Sequence, residues 1–97
     1  MSANIILEIK ASTGKIEEVK DFFREILPAT RLYEGYISLD VLQNLDDPTE
    51  LVISECWESR EAYQQYFNWR AETGVFEKLA SMIEGVPKVR FLENTGI

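Results

Sequence analysis

The sequence contains no histidine, one cysteine (Cys56) and three prolines among its 97 residues. Histidine is the commonest general base and transition-metal ligand near neutral pH. Its absence excludes a Ser–His–Asp or Cys–His site, a two-histidine metal centre and haem ligation by histidine. A single cysteine excludes an intrachain disulfide and a cysteine-based zinc site. Any chemistry must therefore use Tyr, Trp, Asp, Glu, Lys, Arg, Cys or the substrate itself. Positive charge is also scarce, with 10 basic against 17 acidic residues and a net charge of −7. Such a surface repels phosphate backbones and anionic headgroups, and the basic residues are scattered, so neither nucleic acid nor membrane is an expected partner. The sequence shows no charged-then-apolar leader and no apolar run long enough to span a bilayer. The expected location is the cytoplasm.

What is present is the composition of an ordinary globular chain, 45% apolar and 28% charged, of a size for one domain over residues 1–97. Asn4 to Lys10 is a β-rich run with Ile5, Leu7 and Ile9 on one face and Ile6 on the other. From about Lys15 to Tyr33 the spacing of Ile16, Val19, Phe22, Phe23, Ile26 and Leu27 predicts a helix. Thr13 is its expected N-cap, and Pro28 is expected to kink or interrupt it. Tyr36 to Gln43 alternates as a strand, with Ile37, Leu39 and Val41 against Ser38 and Asp40. A turn signal at Asp46-Asp47-Pro48-Thr49 joins it to a strand over Leu51 to Glu58. Ser59 reads as the N-cap of a helix reaching about Thr73, with Gly74 as its stop. A second helical stretch, Val75 to Glu84, carries Phe76, Leu79, Ala80 and Ile83. Gly85 and Pro87 are expected to close it ahead of a last strand over Lys88 to Glu93.

The order β-α-β-β-α-β, with the second helix in two pieces, predicts an α+β fold: a ferredoxin-like split βαβ with an antiparallel sheet. Helices cover only one sheet face, yet the first and third strands are apolar on both: Ile6 opposes Leu7, and Val52 and Cys56 oppose Ile53 and Trp57. Soluble monomers rarely expose a large apolar patch. Sheet-on-sheet homodimerisation is therefore expected.

The stretch from Asn44 to Tyr63 resembles the central signature of the antibiotic-biosynthesis-monooxygenase family. It has an Asp-Pro hairpin (Asp47-Pro48), an apolar strand ending in Glu55-Cys56-Trp57, and a helix capped by Ser59. Tyr33-Glu34-Gly35 before the second strand and the helical Phe76-Glu77-Lys78-Leu79 are similar to the family as well. The resemblance implies a dimeric α+β barrel with a pocket between each sheet and its helices. Several members oxidise polyaromatic phenols or anthrones to quinones with O2, using no flavin, metal or haem. Others degrade haem, isomerise small lactones or have no established substrate. The run Trp57 to Tyr63 is similar to that of the actinorhodin-type quinone-forming members, whose pocket tryptophan and tyrosine match Trp57 and Tyr63. Their pocket asparagine is replaced here by Ile53. A histidine carried by many members early in the second helix is replaced by Tyr66, which argues against haem degradation.

Alternation places Leu51, Ile53, Glu55 and Trp57 on one strand face. A carboxylate there has two readings. Burial raises its pKa and suits it to proton transfer, or it is satisfied by a cation such as Arg90 or by backbone N–H groups. Trp57 is a pocket wall or core packing. Tyr63 and Tyr66, three apart on a helix, share a face, and each either binds and protonates substrate oxygen or buries its ring with the hydroxyl at a rim. Phe67, Trp69 and Arg70 add an aromatic and cationic fringe of open direction. Cys56, opposite Trp57, reads as a small buried hydrophobe. The catalytic candidates are Trp57, Tyr63, Tyr66 and Glu55. They are assigned to cofactor-independent monooxygenation of a small or polycyclic aromatic. The rival is a non-catalytic dimeric module that senses or carries a small aromatic ligand; a lactone isomerase or aldoxime-type lyase of the same barrel ranks below both.

Overall fold

A computed structural model describes residues 2–97. It forms β1 (Ala3–Ala11), α1 (Ile16–Thr30), β2 (Tyr36–Gln43), β3 (Glu50–Trp57), α2 (Arg60–Glu72), α3 (Val75–Ala80) and β4 (Ile83–Leu92). The four strands pair antiparallel in the order β2-β3-β1-β4. This is the split βαβ arrangement expected from the sequence, with the second helix broken at Gly74, whose φ of 80° suits a residue without Cβ. All helices lie on one side of the sheet. On that side β3 buries Leu51, Ile53, Glu55 and Trp57, while Val52, Ser54 and Cys56 on the other stay half-buried.

Several expectations need correction. The helix α1 starts after Lys15, with no side-chain cap; Thr13 lies in the preceding turn and does not cap it. Pro28 neither interrupts α1 nor extends it far, because the helix runs through it and ends at Thr30. The missing N–H costs one intrahelical bond, and only two helical residues follow Pro28, so little helix is left for it to redirect. Ile37 does not join Leu39 and Val41 in the core. The β2–β3 register shifts between Tyr36 and Ser38, and this bulge leaves Ile37 half exposed. Gly85 and Pro87 do not stop a helix either, and Ile83 belongs to β4 rather than α3. Between its pairings with Glu8 and Lys10 of β1, β4 spends Gly85, Val86 and Pro87 on a register shift. A bulged edge strand tolerates glycine and proline, which read alone as helix terminators.

Packing divides the layer between sheet and helices in two. Toward the Leu51 end, mostly aliphatic side chains from β1, α1, β2, β3 and α3 form one cluster, including Ile9, Val19, Leu27, Leu39, Leu51 and Leu79. Toward the Trp57 end, Ile5, Trp57, Tyr63 and Tyr66 form another, bordered by Tyr33, Tyr36, Phe67, Trp69 and Phe91.

The helix-free face is mixed. Ile6, Val52 and Cys56 form its half-buried centre and Leu42 and Leu92 its exposed flanks, while Glu8 and Arg90 pair across it at 3.9 Å. Cys56 is thus only half-buried in the single chain, not the enclosed hydrophobe expected.

Candidate functional site

The strand β3 delivers Glu55 and Trp57 to the helix side because residues two apart on a strand share a face. The indole Nε1 of Trp57 donates to Glu55 Oε1 at 3.0 Å. This is the only protein hydrogen bond of the carboxyl among the described residues, so neither Arg90 nor backbone N–H groups satisfy it. Arg90 sits on the opposite face with Glu8. Glu55 is 5% exposed, and burial pushes its pKa from 4.5 to about 7, against the smaller lowering effect of the Trp57 hydrogen bond. At neutral pH it is therefore divided between acid and carboxylate.

The helix α2 supplies the tyrosines. Ser59 caps it, its Oγ accepting from the Ala62 N–H at 3.0 Å. Gly35, at φ 89°, lies so close to α2 that a Cβ there would meet Ala62 Cβ at 2.6 Å. That contact brings α2 down onto Trp57. The Trp57 ring, fully buried, lies 4.7 Å from the Tyr66 ring and 5.9 Å from that of Tyr63, with Tyr36 and Tyr33 against it at 5.8 and 6.3 Å.

The two tyrosines differ in what their hydroxyls do. Tyr66 OH shares a 2.7 Å hydrogen bond with Thr30 Oγ1 and accepts from Arg70 Nε at 3.0 Å. Arg70 is itself buried, donating through Nη2 to Thr30 Oγ1 and to the Ile26 carbonyl. Tyr63 OH makes no protein hydrogen bond among the described residues. Burial, the neighbouring Glu55 charge and Tyr66 all raise its pKa, so Tyr63 remains a protonated donor throughout the neutral range.

A cavity of about 30 Å³ separates Glu55, Tyr63 and Tyr66 from the apolar side chains of α1 and α3. That is room for a water or two, since one water needs roughly 10–15 Å³. Beside it, an apolar groove of about 330 Å³ runs between Tyr63, Phe67, Phe76, Leu79, Pro87 and Val89, within the size range of small-ligand sites. Leu7, Tyr63, Phe76 and Leu79 line both spaces and so form the partition between them.

The candidates thus meet, but not as equals. Glu55, Tyr63 and Tyr66 face one cavity; Trp57 lies behind them, where it holds Glu55 and lines neither the cavity nor the groove. Of the fringe, Phe67 packs on Phe76 at 4.5 Å along the groove, Trp69 stacks on Tyr33 at 5.1 Å, and Arg70 turns inward. The sequence reading missed Thr30 and the inward role of Arg70. For Arg70 the signal was its spacing, four residues after Tyr66 and seven after Tyr63, on the same helix face. Among the described residues, no group of three His, Cys, Asp or Glu side chains is arranged to hold a metal ion, and no helix is long and apolar enough to cross a membrane.

Among solved structures, the chain superposes on a conserved protein from Methanosarcina mazei Go1 with a TM-score of 0.90 at 17% identity, covering 98% of this chain and 94% of that one. It matches a protein described as an antibiotic biosynthesis monooxygenase with a TM-score of 0.86 at 18% identity, covering 96% and 98%. A variant of SnoaB, a cofactor-independent oxygenase from Streptomyces nogalater, gives 0.85 at 11% identity, covering 97% and 93%. At these identities the likeness is one of fold. No curated protein matches the sequence. The profile of the antibiotic biosynthesis monooxygenase family matches residues 3–71, a span that includes β1, the Asp-Pro hairpin, β3 with Glu55 and Trp57, and most of α2. The chain belongs to that family.

Proposed function

We propose that this protein is a cofactor-independent monooxygenase that oxidises a phenol- or anthrone-like aromatic with O2. The observation that carries the reading is Glu55, a buried carboxyl balanced near neutrality, facing a cavity with the free hydroxyl of Tyr63 beside an apolar groove. An anthrone lying in the groove would lose an acidic C–H proton to the Glu55 carboxylate. The resulting carbanion is electron-rich enough to reduce O2 itself, and the new C–O bond gives a hydroperoxide whose terminal oxygen takes a proton from Glu55 or Tyr63. Loss of water leaves the carbonyl, so that CH2 and O2 become C=O and H2O. The chain supplies orientation, exclusion of water and two proton-transfer groups. Substrate reaches Glu55 only if the partition of Tyr63 and Phe76 swings aside, because 30 Å³ does not admit a ring.

The same reading takes the working unit to be a homodimer joined through the helix-free faces, with Ile6, Val52 and Cys56 at its centre. A Val52→Glu variant should then sediment as a monomer where the parent sediments as a dimer.

The test of activity is turnover of dithranol-like anthrones under air. Quinone formation should fall about 10²-fold or more in Glu55→Gln, the usual worth of a general base, and less in Tyr63→Phe. No quinone above the spontaneous rate with the parent protein would defeat the proposal. A second reading, a non-catalytic binder of small aromatics, is favoured by one observation: Ile53 is buried where the quinone-forming relatives carry a pocket asparagine. In that case neither the parent nor any variant would show turnover, whereas a catalyst would lose turnover and keep ligand affinity in Tyr63→Phe.

A further inference from the structure

A further concavity lies on the helix side of the sheet, at its β2 edge. Between α1 and the edge strand β2 is a cleft of about 280 Å³, lined by Lys20, Phe23, Arg24, Leu27 and Arg31 along one stripe of α1, with Val41, Gln43 and Leu51 from the sheet. Phe23, Leu27 and Leu51 are buried and form an apolar floor. The rim carries three of the chain's 10 cations and none of its 17 acids. We infer that this cleft binds a small organic anion: a carboxylate on a compact apolar body, its ring on the floor and its charge between Arg24 and Arg31.

The helix alone does not account for all three cations. Arg31 stands at the C-cap of α1, where a positive charge complements the helix dipole, but that effect is confined to the last turn and does not reach Arg24 or Lys20. Those two pair with residues three earlier on the helix, Lys20 with Glu17 at 3.4 Å and Arg24 with Asp21 at 2.6 Å. Each pair has a water-exposed carboxylate and stabilises little, so an incoming carboxylate can take over either cation at little cost. Arg31 makes no ion pair among the described residues. The volume is close to the ~300 Å³ lower end of ordinary ligand sites, which suits one or two rings rather than a chain segment. The cleft opens at the β2 edge of the sheet, whereas the groove beside Glu55 is lined from α2, α3 and the opposite edge strand β4, so the two are distinct. The cleft nevertheless shares Phe23 and Leu27 with the wall of the Glu55 cavity.

The test is an NMR titration of the full-length, isotope-labelled protein with 2-naphthoate, and with 2-naphthalenemethanol as a neutral isostere. Shifts should gather at residues 20–31, Val41, Gln43 and Leu51. The alcohol should bind at least about tenfold more weakly, the loss expected when a charge-assisted contact is removed. The double variant Arg24→Gln/Arg31→Gln should weaken naphthoate about tenfold as well. Both side chains are solvent-exposed, so the fold should survive, and Arg24→Lys/Arg31→Lys should recover part of the affinity. Arg60→Gln, a cation elsewhere, should change nothing. Equal binding of the alcohol, shifts centred on Phe67 and Phe76, or an unchanged Kd in the double variant would each overturn the assignment. So would concentration-dependent shifts of the cleft residues without naphthoate, which would give the cleft to a second copy of the chain.

Discussion

The two ends of the layer between sheet and helices are made of different materials. At the Leu51 end the enclosed side chains are mostly aliphatic and need no hydrogen-bond partner. At the Trp57 end they are aromatic, and Trp57, Tyr63 and Tyr66 each bring a polar tip into the buried layer. Glu55 lies at the seam, between Ile53 of one cluster and Trp57 of the other. The aliphatic end contributes burial energy in a form that many sequences share. The aromatic end contributes burial too, but it also fixes a carboxyl and two hydroxyls within one small cavity, which is where directed chemistry becomes available.

The largest effects should come from truncating each end in turn. Trp57→Ala removes a fully buried ring and should cost about 3–5 kcal/mol; Leu51→Ala should cost about 2–5 kcal/mol. Stability is to be read by urea unfolding at one fixed protein concentration, because association adds to apparent stability. The discriminating outcome is electrostatic rather than energetic. Only Trp57→Ala removes the hydrogen bond to Glu55, so only it should change the Glu55 titration followed by carboxyl NMR. If Leu51→Ala moved that titration equally, the division into two ends would fail.

The next effect isolates the seam. The folded chain holds the Glu55 proton more tightly than the unfolded one, with a pKa of about 7 against 4.5. The folded state is therefore favoured at low pH, and this contribution is lost as pH rises between those two values, levelling off above 7. The full swing is on the order of 3 kcal/mol. In Glu55→Gln this part of the pH dependence should vanish. The stability difference between variant and parent, measured by thermal unfolding at pH 5 and pH 8, should move in the variant's favour at the higher pH. A difference that stays constant with pH would mean that Glu55 is not held in a desolvated site.

Much of this division was legible in the sequence, and its limits have physical causes. Period-two alternation in β3 placed Glu55 and Trp57 on one face, and the three-residue spacing of Tyr63 and Tyr66 placed them on another that meets it. Spacing cannot report depth. It could not tell that Trp57 would be sealed behind the cavity, nor that Tyr66 would be occupied by Thr30 from α1, a contact between residues 36 apart in the chain. Glycine and proline misled at Gly85 and Pro87, because the same residues that end helices also serve bulges in edge strands. The partner of Glu55 is neither a cation such as Arg90 nor a backbone N–H, the usual donors to a buried carboxylate, but an indole N–H two residues along the same strand face.

The smallest effect separates the two helices that carry the two ends. The aromatic end hangs on α2, whose first turn is closed by the Ser59 hydroxyl. The aliphatic end rests on α1, which has no side-chain cap and, apart from the bonds of Ile26 and Thr30 to Arg70 and Tyr66, is held by the packing of Val19, Phe22, Phe23 and Leu27. Ser59→Ala leaves the Ala62 N–H without its acceptor and should cost about 1 kcal/mol. Thr13→Ala removes no hydrogen bond of the helix and should stay within about 0.5 kcal/mol of the parent. Both are measurable by urea unfolding at equal concentration. If the two substitutions cost the same, α2 would be held by the ring contacts alone, and the aromatic end would rest on packing just as the aliphatic end does.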